Sequence, residues 1–305
     1  YKLYYNKLLE DKMDNYETHY NKSKQIYLKE FGETDQGLQI KDIDVIKVNY
    51  TKPDQAINLP LNYIDIINGF SNQINEKINK KECCFYPNNI KKEDDVMIRI
   101  KDSESIKFQG LEDLCEIVIP QLEQKFYHCY LHADKVYFYR SVVTKNKEIS
   151  SYLPHVDNHP IQLSKVMIYL TDVAEDTGPF QYLVDPNDKP VFINPSRTGI
   201  DHWGSHKWPG SRVPSKVLDE YYKNGYKWKK VIGKKGTMIL FTENHIHKAT
   251  VSEKSHRDVF ILQVRPIKFK YRPYISPNKT GSFEMNDLSK DPDDNVPFNK
   301  NFTKK

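Results

Sequence analysis

The sequence predicts a mainly β fold with a helical N-terminal half, and three observations carry that reading. Four short runs rich in β-branched and aromatic residues, at 135–143, 165–170, 237–241 and 259–264, all fall in the second half of the chain. Three longer stretches in the first half space apolar residues three and four apart between charged ones. The 305 residues are enough to bury one substantial core. The helices are therefore expected to pack on the outside of the sheet structure, because burying an apolar face is what stabilises most amphipathic helices.

Taken in order, residues 2–31 read as a long amphipathic helix that stops near Gly32. A loop with a short strand at 43–48 follows, then Pro53 and Pro60. Residues 61–78 give a second helical pattern with Gly69 as its weak point, and 80–95 are polar, turn-rich and expected at the surface. Residues 110–127 give a third helix, which Pro120 should kink or break because it lacks the N–H and crowds the preceding turn. The strand at 135–143 puts Tyr137, Tyr139 and Ser141 on one face and Phe138 and Arg140 on the other. In the strand at 165–170, Lys165 shares a face with Met167 and Tyr169. Residues 185–226 interrupt the strands with Pro, Gly, Trp and basic side chains, and an insertion this long is expected to be a lid or binding loop. The tail from Ile275 is polar and expected to wrap the surface. The implied organisation is one domain: helical support at 1–130, a β core at 131–270 carrying the insertion, and a tail at 271–305.

Composition narrows the partners. Lys and Arg number 46 against 41 Asp and Glu, a net charge of +5, and the cations are scattered among acids instead of clustered, so no nucleic-acid stripe is present. No apolar run approaches the roughly 18 residues of a membrane span. Cys83, Cys84, Cys115 and Cys129 lack the paired spacing of a zinc site, and bridging the adjacent pair would strain it. Reduced thiols in a cytoplasm-like compartment are expected. The chain begins at Tyr1, so a preceding segment is expected and targeting is left open. A soluble monomer or weak dimer is the expected state.

Two segments carry residues suited to chemistry. His155 and Asp157, two apart in extended chain, project to the same side. An imidazole and a carboxylate are two of the three ligands in the two-His, one-carboxylate face, which leaves positions open and suits non-haem Fe(II). Downstream, Gly236 precedes a buried strand at 237–241, and His245 and His247 follow it. Arg257 comes ten residues after His247 and shares a strand face with Val259, Ile261 and Gln263. A guanidinium on an internal face needs an anion, and a ligand carboxylate gripped by both fork nitrogens is its natural partner. Each residue also has a plain reading: a turn residue for His155, a turn cap for Asp157, an ion pair with Asp258 or Glu253 for Arg257.

In order and spacing these residues resemble the phytanoyl-CoA dioxygenase family of Fe(II)/2-oxoglutarate oxygenases. The shared pattern is His155-x-Asp157, a strand at 166–170, the turn Gly178-Pro179-Phe180, Gly236 with Phe241 at the end of its strand, six residues to His247 and ten more to Arg257. It covers roughly residues 136–266. The resemblance implies a double-stranded β-helix, a jelly-roll or cupin-like barrel, flanked by N-terminal helices. It implies His155, Asp157 and His247 on Fe(II), and Arg257 on the distal carboxylate of 2-oxoglutarate, with O2 consumed and ascorbate as reductant. Its spacing selects His247 over His245. In the family the strand corresponding to 135–143 lines the cosubstrate pocket, so Tyr139 is expected there, with aromatic core filling as the alternative; Lys165 is a second candidate anion contact.

The implied activity is oxidation of an unactivated C–H bond in a small metabolite with release of succinate and CO2, by hydroxylation or by cyclisation as in algal kainoid synthases. Related halogenases lack the carboxylate ligand, so the intact Asp157 argues against halogenation. Arg197, Trp203, Lys207 and Arg212 in the insertion suit an anionic, carboxylated or amino-acid-derived substrate, unless that segment is a solvated flap. Two further readings are a hydroxylase of protein side chains and a non-catalytic cupin-like binding domain; a full ligand set counts against the second.

Overall fold

The computed structural model describes residues 2–39, 42–47, 57–86, 97–144, 150–157, 160–193, 212–267, 270 and 273–275. Along the chain lie α1 (Lys2–Phe31), β1 (Asp44–Ile46), α2 (Tyr63–Asn79), β2 (Cys83–Tyr86), β3 (Met97–Ile100), α3 (Asp102–Ser105) and α4 (Leu111–Leu122). A π-helical turn (Glu123–Tyr127) leads to β4 (Leu131–Ser141), β5 (Ser164–Tyr169) and β6 (Phe180–Val184). After these come α5 (Ser215–Lys223), β7 (Lys227–Val231), β8 (Met238–Thr242), β9 (His247–Lys248) and β10 (Arg257–Pro266).

The strands form a seven-stranded sheet in the order β1-β8-β5-β10-β4-β3-β2 and a three-stranded sheet in the order β7-β6-β9. Every pairing between these strands is antiparallel. Alternation along each strand of the large sheet sends successive side chains to two different cores. Met167, Tyr169, Phe241 and Val259 meet Phe180, Tyr182 and Val184 of the small sheet in one apolar cluster. On the opposite face Phe138, Val166, Ile168, Leu240, Phe260 and Leu262 pack with Phe70 and Ile67 of α2 and Leu114 and Val118 of α4. Two antiparallel sheets enclosing a core, with helices backing the larger one, make the expected double-stranded β-helix.

Several elements differ from the sequence expectation. The stretch expected to be surface turn contains β2, which pairs with β3 at the edge of the large sheet. Four-residue strands between charged segments carry too little periodicity to register. Pro120 does not break its helix: it lies inside α4, and the chain then widens into the π-helical turn, closed by the His128 N–H on the Glu123 carbonyl at 2.7 Å. Gly69 sits within an unbroken α2. The downstream part of the expected lid contains the helix α5, and β7 begins just past its end, while 194–211 lie outside the described residues. Tyr274 and Ile275, at the start of the tail, are buried in the helical core, with the Tyr274 N–H on Glu112 Oε1 at 2.6 Å; 276–305 lie outside the described residues. The four cysteines are free thiols. Among the described residues no helix is long and apolar enough to cross a membrane.

Phe138 joins sheet to helices. Its ring stacks on Phe108 at 3.7 Å between centroids and meets Phe70 edge-on at 5.3 Å. Phe138→Ala is expected to cost about 3–5 kcal/mol in urea denaturation; a loss below about 1 kcal/mol would place the stabilising core elsewhere.

Candidate functional site

Backbone pairing builds the site. The His155 N–H donates to the His247 carbonyl at 3.0 Å and the His247 N–H returns to the His155 carbonyl at 2.9 Å. The Asp157 N–H donates to the Glu243 carbonyl at 2.8 Å. The segment 155–157 therefore runs against the 243–247 segment, and the ligating atoms of His155, Asp157 and His247 all lie within 4.8 Å of one another. His155 Nε2 is 3.7 Å from Asp157 Oδ1, and His247 Nε2 is 3.5 Å from Asp157 Oδ2. Donors bound to one ion at about 2.1 Å are themselves roughly 3 Å apart at right angles, so these separations suit a shared ion after a small contraction.

The protonation pattern fits as well. The His155 Nδ1–H donates to the Leu153 carbonyl at 2.7 Å and the His247 Nδ1–H to the His245 carbonyl at 2.8 Å. Each imidazole thus has its tautomer fixed by the chain two residues earlier and turns an Nε2 lone pair toward Asp157. Burial, then the neighbouring His247, pushes the His155 pKa down to about 3, and burial lowers His247 too. Both rings are neutral at ordinary pH, the form a metal needs. The donor set of two neutral nitrogens and one carboxylate fits a two-His, one-carboxylate Fe(II) centre.

Lys165, the second candidate anion contact, lines the same cavity as these ligands. Its ammonium donates to Asp157 Oδ2 at 2.7 Å and lies 3.5 Å from Glu243 Oε2. Burial works against that charge, but the two carboxylates outweigh it and hold Lys165 above its ordinary pKa. Glu243 is fully buried, and burial pushes its carboxyl up to about 7 against the pull of Lys165. The sequence reading passed over Glu243; its position one residue past the apolar run 238–241 was the available signal.

Arg257 is buried on the inner face of β10. Its Nη1–H donates to the Gly178 carbonyl and its Nη2–H to Ser141 Oγ at 3.3 Å, while Nε has no hydrogen-bond partner. Of the ion-pair partners considered for it, Asp258 is held instead by Arg140 on both carboxylate oxygens at 2.7 Å. The turn that receives Arg257 needs glycine: Gly178 has φ +76°, and a Cβ there would lie 2.7 Å from the Thr250 carbonyl. Arg257, Tyr139, Lys165 and the three ligands line one cavity of about 240 Å³. Arg99 and Tyr137 line it too, and the sequence reading passed over Arg99. Arg212 pairs with His155 through an antiparallel bridge, at the edge of the site. Arg197, Trp203 and Lys207 lie outside the described residues. His245 is buried beside Thr242 and Phe192, away from the cavity lining.

No family model matches the sequence, and no curated protein matches it. Solved structures do resemble it. The non-heme alpha ketoglutarate dependent carbocyclase SnoK from nogalamycin biosynthesis aligns over 74% of this chain and 79% of its own, with a TM-score of 0.50 and 12% identity. AviO1 from Streptomyces viridochromogenes Tue57 aligns over 74% and 90%, with a TM-score of 0.49 and 11% identity. EctD from S. alaskensis aligns over 80% and 82%, with a TM-score of 0.49 and 10% identity. At such identities the likeness is one of fold, and the fold shared with SnoK is the double-stranded β-helix.

Proposed function

We propose that this chain is an Fe(II)/2-oxoglutarate-dependent oxygenase acting on an unactivated C–H bond of a small carboxylated or amino-acid-derived metabolite. The observation that carries this reading is one cavity holding both the His155, Asp157 and His247 cluster and a buried guanidinium, Arg257, with an unpartnered Nε. His155, Asp157 and His247 would hold the iron, and Arg257 the distal carboxylate of 2-oxoglutarate. Iron, 2-oxoglutarate and O2 together supply oxidative decarboxylation, with succinate and CO2 as products, and the power to remove hydrogen from carbon.

The protein's own contribution is geometric and electrostatic. Carbonyl-anchored imidazoles keep both Nε2 atoms aimed at one point, and Lys165 restrains the Asp157 carboxylate through Oδ2. Arg257 selects a diacid by length, because its fork lies at a fixed distance from the triad. Phe180, Phe241 and Val259 line the walls and exclude water from the reacting centre. Hydroxylation is the default outcome, with oxidative cyclisation when the substrate is held away from the transferred oxygen.

The direct test is aerobic formation of succinate from 2-oxoglutarate with Fe(II) and ascorbate, with and without candidate carboxylated metabolites; iron binding without any turnover would favour a binding module. Asp157→Ala is expected to abolish turnover and weaken anaerobic Fe(II) binding more than tenfold, by analogy with the 10–100-fold losses seen even for outer-shell changes. Unchanged metal affinity would remove Asp157 from the centre. Arg257→Ala should cost about 2–5 kcal/mol of 2-oxoglutarate binding in a calorimetric titration. If only the denaturation midpoint moved, Arg257 would be a structural residue.

A further inference from the structure

Beside the metal cluster, a buried ion pair does something that three ligands alone do not require. Lys165 of β5 pairs in register with Phe241 of β8 on one side and Gln263 of β10 on the other, and both neighbours are buried. Its side chain, only 16% exposed, is therefore committed to the interior from within the large sheet. There the ammonium reaches two carboxylates, Asp157 Oδ2 at 2.7 Å and Glu243 Oε2 at 3.5 Å. Glu243 contributes twice: its side chain supports the ammonium, and its carbonyl accepts the Asp157 N–H at 2.8 Å. Asp157 is thus held at its backbone by residue 243 and at one carboxylate oxygen by Lys165.

The two oxygens of Asp157 are not equivalent. Oδ1 lies 3.7 Å from His155 Nε2 and Oδ2 lies 3.5 Å from His247 Nε2, and it is Oδ2 that takes the ammonium. A carboxylate free to turn beside a divalent ion can ligate through one oxygen or through both. Here a dication shared by both oxygens would meet a like charge bonded to Oδ2, in a poorly screened setting. Oδ1 is the favoured donor. Each further carboxylate oxygen on an ion takes a position away from solvent or cosubstrate, so this choice has a chemical consequence. A buried Lys–Glu pair is also a costly way to fill an inner wall, where Met167 and Phe241 nearby do so with apolar groups. A role at Asp157 accounts for that cost.

We propose that Lys165, backed by Glu243, is a positioning residue that keeps Asp157 a one-oxygen ligand, so that the metal retains every open position of a three-ligand face. This deepens the oxygenase reading and rests on it for the metal site: a keto acid that chelates through two atoms then leaves a position for O2.

The test uses the full chain loaded anaerobically with Mn(II), whose bound waters are counted by water-proton relaxation. With three protein donors on an octahedral ion, the wild type is expected to keep about three waters, and about one after 2-oxoglutarate chelates. Lys165→Met should lower these numbers to about two and about none, a loss of about one third in the first, with Mn(II) still bound. Glu243→Gln keeps an acceptor for the ammonium and should keep the wild-type numbers. If Lys165→Met fails to fold because Glu243 is left as an uncompensated buried charge, the double variant with Glu243→Gln removes both charges and should show the same drop. An unchanged water number in the Lys165→Met or double variant would overturn the proposal. So would weaker 2-oxoglutarate binding at an unchanged water number, which would make Lys165 a cosubstrate contact instead. No binding of Mn(II) to the wild type would sink both readings. The expected water numbers without any binding of 2-oxoglutarate would support the positioning role and count against the oxygenase reading.

Discussion

The reciprocal backbone pair between His155 and His247 is the constraint on which the site depends. Two hydrogen bonds, at 3.0 and 2.9 Å, lock together segments that are remote in sequence. They set the register, and register decides which side chains share a face. A slip of one residue would send both imidazoles to the wrong side. The neighbouring bond from the Asp157 N–H to the Glu243 carbonyl extends the same pairing and places the carboxylate beside the rings. Ring orientation is then settled locally, by carbonyls at positions 153 and 245. Very little of this geometry depends on the exposed connections.

Charge completes what pairing begins. At one corner of the cavity Lys165 stands between Asp157 and Glu243. Two carboxylates against one ammonium in a buried setting leave excess negative charge, partly relieved because burial favours the protonated form of Glu243. A divalent ion held by Asp157 and the two neutral imidazoles would offset the remainder. Farther up the wall the sign reverses, with Arg257 and Arg99 both facing the cavity. The interior is polarised: cation-attracting at one end and anion-attracting at the other.

Much of this was legible in the sequence, for physical reasons. β4, β5, β8 and β10 are long or continuously apolar, and α1, α2 and α4 carry helical periodicity, so their patterns exceed chance. The pairing of the 155 and 247 segments was legible only through motif order, since local chemistry does not encode a contact so distant in the chain. β2, β3, β7 and β9 were not legible: they are short, and their partners, not their own residues, make them strands. Arg99 belongs to this group. In Met97-Ile98-Arg99-Ile100 the charge occupies an inward position of an alternating strand, a signal that has meaning only once the strand is recognised. Lys165 shows the converse limit: strand alternation places it on a face with Met167 but carries no information about Asp157 and Glu243 beside it.

The Gly178 turn ties two parts of the molecule together. Its carbonyl receives Arg257, its φ of +76° favours glycine, and the backbone of Thr250 closes off the space a side chain would need. Two residues on, the Phe180 ring lies 5.6 Å from that of His247. The turn thus works as a bracket between guanidinium and imidazole. Position 178 should tolerate substitution far less than its place in a short connecting loop implies, and an insertion beside it would disturb both ends of the cavity at once.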